Sequence, residues 1–177
     1  MDSIERYLNA ALEIGFSCAA EIDGSDIKCQ PEFRAYCNPE QCKVYGTNWV
    51  CPPGCGTLEE CAKRAEKYKM GIIMQSVTGL PSKYKTTVIQ NCKQKHNTRL
   101  LQLAVRARKE IGDVLPLSTG GCIICEKCAY PDPCRYPDIR MSALSAFGIN
   151  VSELCQKAGL EYAFREDKLY FTACLLF

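Results

Sequence analysis

Gly120-Gly-Cys-Ile-Ile-Cys-Glu-Lys-Cys-Ala-Tyr-Pro-Asp-Pro-Cys134 is the stretch around which this chain is organised. Two residues separate each of its first three cysteines, and five separate the third from the fourth, giving Cys122, Cys125, Cys128 and Cys134. The spacing is closest to the cysteine run that holds an iron–sulfur cluster in bacterial ferredoxins. Zinc sites more often use two separated Cys-x-x-Cys pairs. The stretch therefore predicts a cluster-binding loop, with a zinc knuckle as the alternative.

Cysteine is the most unusual part of the composition, with 14 cysteines among 177 residues. The charged N-terminus lacks the apolar core of a signal peptide, and no apolar run is long enough for a membrane span. We therefore expect a cytoplasmic protein, in which disulfides are rare and cysteines indicate metal or redox chemistry. The single histidine, His96, favours thiolate-only ligation and hence iron–sulfur. A net charge of +2 gives no indication of nucleic-acid binding.

The length and the alternation of elements predict one domain, residues 1–177, of the α/β or α+β class. We expect a single mixed sheet of about four or five strands with flanking helices and two cysteine-rich loops. Apolar periodicity and capping residues predict helices over 3–14, 58–69, 86–111, 140–147 and 151–158, and strands over 16–22, 70–77, 114–117, 161–164 and 168–177.

A first group of cysteines lies in and just after the loop-rich stretch 28–57, which contains little periodicity. So long a stretch needs something other than apolar packing to hold it, and metal binding can supply that. The group offers five thiols where a cubane cluster needs four. We expect its ligands to be Cys37, Cys42, Cys51 and Cys61, with Cys55 as a spare, a free reactive thiol or a bystander.

The second group consists of the four cysteines quoted at the outset, and we expect all four to be ligands: Cys122, Cys125, Cys128 and Cys134. In two-cluster ferredoxins the fourth cysteine of such a run serves the other cluster. The longer gap here favours return of Cys134 to its own cluster, and both arrangements remain open.

Several motifs together resemble an uncharacterised prokaryotic family whose members are described as predicted metal-binding proteins. They are Cys37-x4-Cys42-Lys-Val-Tyr-Gly-Thr-Asn-Trp-Val-Cys51-Pro-Pro, Thr57-Leu-Glu-Glu-Cys61, Gly121-Cys122-x2-Cys125-x2-Cys128-x2-Pro131-x2-Cys134-Arg-Tyr-Pro137 and Ala146-Phe-Gly-Ile-Asn-Val151. The similarity covers roughly residues 33–155. It implies a cysteine-bound metal centre in both groups, and so a protein with two 4Fe-4S clusters.

Three functions fit these features. The first is electron transfer to a redox partner protein, and the second is an iron–sulfur enzyme that uses an open iron for desulfuration or sulfur transfer. The third is a structural zinc protein. The helix predicted over 86–111 carries a basic face, which is either solvated or a docking patch for an acidic partner: Lys93, Lys95, Arg99, Arg106, Arg108 and Lys109. No phosphate-binding or dinucleotide motif occurs. The reaction, partner, cluster potential and oligomeric state stay open.

Overall fold

A five-stranded mixed sheet forms the centre of the protein, with strand order β1-β2-β5-β3-β4. The computed structural model describes residues 3–79, 86–163, 165 and 167–177. The strands are β1 Cys18–Asp23, β2 Met70–Gly79, β3 Leu115–Ser118, β4 Ser142–Ala143 and β5 Lys168–Leu176. All neighbouring strands are antiparallel except β3 and β4, which run parallel. The helices are α1 Ser3–Ile14, α2 Pro31–Arg34, α3 Leu58–Ala65, α4 Thr86–Ile111 and α5 Val151–Lys157.

Helices cover both faces of this sheet, because alternate residues of the central strands are apolar on each side. Ile72 of β2 and Leu175 of β5 pack with α1 and α4 on one face. Ile73 and Cys174 point to the other face, where α3 and α5 pack. The period-two alternation of two fully buried strands thus produces a helix–sheet–helix sandwich. Its class and single mixed sheet are those predicted from the sequence.

Local signals placed most helices correctly. Thr57 caps α3 by accepting a hydrogen bond from the Glu60 backbone N–H, and the Glu60 carboxylate accepts one from the Thr57 N–H, so the capping box is present. Asn150 caps α5 through the backbone N–H of Glu153. The long helix α4 has the predicted bounds, and α3 ends at Ala65, four residues earlier than predicted.

Two predicted elements are absent from the described residues. The helix expected over 140–147 is wrong: β4 and a 3₁₀ turn, Ser145–Phe147, occupy that stretch. Nearly all of it is buried, and periodicity cannot separate a short buried strand from a helix. The strand expected over 161–164 does not form at 161–163, where the Gln75 side chain donates to the Glu161 carbonyl, while Phe164 lies outside the described residues.

Two long connections between elements carry all of the predicted ligands except Cys61, which lies in α3. The first joins α2 to α3, and the second joins β3 to β4. We call them the first cysteine loop, residues 35–57, and the second cysteine loop, residues 119–141. Neither contains a helix or strand. None of the helices in the described part of the chain is both long and apolar enough to cross a bilayer.

Candidate metal centre

The four predicted ligands of the second cysteine loop share one cavity of about 550 Å³. Their side chains are all half-buried and all line its wall: Cys122, Cys125, Cys128 and Cys134. The cysteines are free thiols. All four cysteines of the run, including Cys134, therefore border a common space. Aromatic side chains complete the wall: Trp49, Tyr130 and Tyr136.

Side-chain hydrogen bonds anchor the entrance of the second cysteine loop to the sheet and to α4. Thr119 donates its hydroxyl to the Thr172 carbonyl of β5 at 2.6 Å. Asn97 of α4 donates to the Thr119 carbonyl at 3.1 Å. Ser118 donates to the Gly120 carbonyl at 3.0 Å. Cys122 thus follows a backbone segment that is held from three directions.

The two cysteine loops pack against each other at Trp49. Its indole N–H donates to the Asp132 carbonyl at 2.8 Å, and its ring meets Tyr130 edge-on with centroids 5.1 Å apart. Residues 47–50 of the first loop line the same cavity as the second-loop cysteines. The two predicted ligand groups are therefore neighbours in space although about 70 residues separate Cys51 from Cys122 in the chain.

Asparagine side chains shape the first cysteine loop around its own thiols. Asn48 accepts hydrogen bonds from the backbone N–H groups of Val50 and Cys51, at 3.0 and 2.9 Å. Asn38 accepts from Gln41 at 3.1 Å, one residue before Cys42. Such turns hold the backbone where no sheet or helix ladder is available.

Cys51 shows which first-loop thiols are near each other. Burial raises the pKa of Cys51; the Asn48 hydrogen bond opposes this, and the charges of Cys42 and Cys37 raise it further. The charge of Lys93 acts in the lowering direction. Cys51 is thus within electrostatic reach of Cys37, Cys42 and Lys93.

The remaining predicted ligand of the first group, Cys61, contacts Cys55 and two arginines. Arg64 donates to its Sγ at 3.2 Å and Arg34 at 3.8 Å, and the residue is completely buried. The hydrogen bond from Cys55, together with Arg64, lowers the pKa of Cys61 to about 6 despite burial. That same hydrogen bond raises the pKa of Cys55, as burial does. Cys55 and the two arginines therefore favour the ionised form of Cys61.

Cys29 extends this buried thiol group, although sequence patterns did not single it out. Burial raises its pKa to about 11, and the charge of Cys61 adds to the effect. Arg34 and Arg64 were also missed. Arg64 follows Cys61 by three residues in α3, so helical spacing was an available signal for it. Arg34 contacts Cys61 from outside that helix, and no local pattern indicates this contact.

Lys93 is the position where the predicted solvated helix face is wrong. Its side chain is half-buried and lies against Gly120, at the entrance of the second cysteine loop. Arg99 also turns inward and donates to Ser76 at 3.1 Å. Lys95, Arg106 and Lys109 are exposed, as expected of a solvated face. The packing of α4 on the sheet decides which of these basic side chains turn inward and which stay exposed.

Thiols predominate in the donor set, but a closed coordination shell is not preformed. Within residues 3–79, 86–163, 165 and 167–177, no three Cys, His, Asp or Glu side chains converge enough to hold a metal ion. The chemistry of four thiols on one cavity fits a thiophilic metal or cluster. Metal sites commonly close only when the metal binds, because ligation and local folding are coupled.

Comparison with known proteins assigns the chain to a family that is described as metal-binding. The sequence pattern of the DUF2284 family, described as a predicted metal-binding protein, matches residues 20–177. That range includes both cysteine loops and all of the sheet except the first two residues of β1. No curated protein and no solved structure matches the chain.

Proposed function

The chain belongs to the DUF2284 family of predicted metal-binding proteins, and we propose that it is an iron–sulfur protein that transfers electrons to a redox partner. The observation that carries the proposal is the shared cavity of the second cysteine loop. Its four thiols would hold one 4Fe-4S cluster: Cys122, Cys125, Cys128 and Cys134. A bound cluster of this kind supplies one-electron transfer.

A second 4Fe-4S cluster is proposed at the first cysteine loop and the adjoining start of α3, with Cys37, Cys42, Cys51 and Cys61 as ligands. The action of the Cys37 and Cys42 charges on Cys51 supports the first three of these ligands. Arg34 and Arg64 stabilise negative charge on the Cys61 sulfur, and the thiolate is the form that binds metal. Cys55 donates toward Cys61 and is left outside the set.

The protein around the cavity would exclude water and direct electrons. Trp49 and Tyr130 close one side by edge-on packing, and a less polar surrounding shifts the potential of a cluster. The two loops contact each other through Trp49 and Asp132, and this contact supports the proposal that the two clusters would lie near each other. Short separation favours transfer from one centre to the other.

An iron–sulfur enzyme is the second candidate, and the size of the cavity favours it. A volume of about 550 Å³ lies in the range of small-molecule sites. A cluster with an open iron would then act on a substrate beside Trp49, with desulfuration or sulfur transfer as candidate reactions. Turnover of a thiolated substrate by purified protein would favour this candidate.

The test is metal analysis of protein purified without air. We expect iron and acid-labile sulfide, visible absorption that bleaches on reduction, and an electron paramagnetic resonance signal from the reduced protein. Cys125→Ser should lose the signal of one cluster, while Cys18→Ser, a half-buried cysteine of β1 outside both groups, should keep it. Stoichiometric zinc without iron would overturn the proposal in favour of a structural zinc protein.

A further inference from the structure

Lys93 of α4 lies at the entrance of the second cysteine loop. It projects from α4 onto Gly120, where a Cβ atom would lie 2.7 Å from Lys93 Cε and closer still to Nζ. Gly120 also has a φ of +78°, which side chains rarely adopt. Glycine at this position therefore lets the lysine ammonium lie directly on the backbone that leads into Cys122.

The neighbouring turn of α4 keeps this contact in place. Asn97, four residues after Lys93, donates to the Thr119 carbonyl at 3.1 Å. Residues four apart lie on the same face of a helix. Asn97 therefore contacts Thr119 while Lys93 contacts the next residue of the loop, Gly120. The positive charge of Lys93 also acts to lower the pKa of Cys51, in the first cysteine loop, although burial of this thiol has the larger, opposite effect.

No carboxylate compensates this charge in the described part of the chain. Lys93 is half-buried, yet it takes part in none of the salt bridges or side-chain hydrogen bonds formed there. Its exposed helix neighbours, by contrast, include the ion-paired Arg106, which meets Glu110 at 2.9 Å. A partly buried cation without a counter-ion is unfavourable, so an anionic group is expected close to Lys93 at the second cysteine loop.

We propose that Lys93 is the counter-charge of the anionic cluster proposed at the second cysteine loop and that it raises the reduction potential of that cluster. This inference rests on the proposed iron–sulfur function. A cluster with four thiolate ligands is negatively charged, and reduction adds one further negative charge. A fixed cation stabilises the reduced form more than the oxidised form, and most strongly where water is excluded. Lys93 is a positioning residue, since it acts through charge and binds no iron.

The test compares the reduction potentials of three variants in redox titrations that are monitored by electron paramagnetic resonance. Lys93→Met should lower the reduction constant of a cluster by about tenfold, equivalent to ~59 mV for one electron. Lys93→Arg keeps the charge and should restore most of the difference. Lys95→Met removes an exposed charge two residues away on the same helix and should leave the potential near that of the wild type.

Salt separates a buried counter-charge from a surface effect. The difference between wild type and Lys93→Met should persist at ~1 M salt, where exposed charges are screened within about 3 Å. Loss of iron from Lys93→Met but not from Lys93→Arg would also support the inference, because the charge would then be required for assembly. Equal potentials in wild type and Lys93→Met, with clusters intact, would overturn it and leave the iron–sulfur function standing. A wild type without iron would overturn both.

Discussion

The helix–sheet body and the cysteine loops are held together by different interactions. In the body, β2 and β5 pair from Gly71↔Leu176 to Gly79↔Lys168, and apolar side chains fill both faces. In the loops, side chains such as Asn48, Trp49 and Thr119 supply hydrogen bonds to isolated backbone groups. The body therefore has the means to fold by itself, whereas the loops position thiols without completing a site. The difference indicates that a bound metal is the missing stabilising interaction of the loops.

Removal of the metal should produce the largest difference between the two regions, because it should raise amide exchange in the cysteine loops and not in the body. Because a ligand held 100-fold above its dissociation constant adds about 2.7 kcal/mol, we expect amide exchange in residues 35–57 and 119–141 to accelerate by ~100-fold after chelation. Exchange in β2 and β5 should change little. Hydrogen-exchange mass spectrometry of the loaded and stripped protein measures both. Equal protection of the loops in the two forms would contradict this account.

A cavity in the body should lower the stability of the sheet and its helices and should leave the metal content unchanged. Leu103 of α4 is completely buried, so Leu103→Ala should lower the free energy of unfolding by about 2–5 kcal/mol. The metal content of the protein that remains folded should not change. Urea unfolding and metal analysis provide the two measurements. Leu12→Ala, at a position that is 48% exposed in α1, is the matched control and should have a small effect.

Acid should weaken the body through His96. Its ring is buried beside Ser76, 2.9 Å from the hydroxyl, and burial lowers its pKa from 6.5 to about 4. The folded state therefore takes up a proton less readily than the unfolded state. The stability that the neutral ring contributes is fully present above pH 6.5 and is lost as the pH falls toward 4.

The loss should amount to on the order of 3 kcal/mol. Urea unfolding at several pH values should show a shallower decline for His96→Gln than for the wild type between these limits. Parallel declines in the two proteins would show that His96 does not titrate in this way, since the carboxylates common to both would then account for the whole acid effect.

Weakening the contact between the loops should have the smallest effect. Trp49→Phe removes the hydrogen bond to the Asp132 carbonyl but keeps an aromatic ring beside Tyr130. One such bond contributes about 1 kcal/mol, so the metal should dissociate roughly fivefold faster. The rate of metal dissociation is measured by transfer of the metal to a coloured chelator. Tyr36→Phe, at a position that is 68% exposed, should leave it unchanged. An unaltered rate in Trp49→Phe would show that the loops close independently.

Periodicity and capping accounted for most of the body but little of the site. The Thr57–Glu60 capping box and the three-to-four spacing of α4 are local signals, and both elements formed. The stretch 140–147 failed because it is buried on nearly every side, which erases the polar face that distinguishes a helix from a strand. In the site, motifs identified the cysteines of the second loop, but not the contact of Trp49 with Asp132 or the burial of Lys93.

Local order in the chain was enough to establish an α/β sandwich interrupted by two thiol-rich loops, because helix caps, strand alternation and cysteine spacing act over a few residues. Bringing the two loops together, pairing Cys61 with Cys55 and two arginines, and turning Lys93 inward depended on the folded chain. These contacts join residues far apart in sequence, and their existence depends on how the helices pack on the sheet. No pattern confined to one segment carries that information.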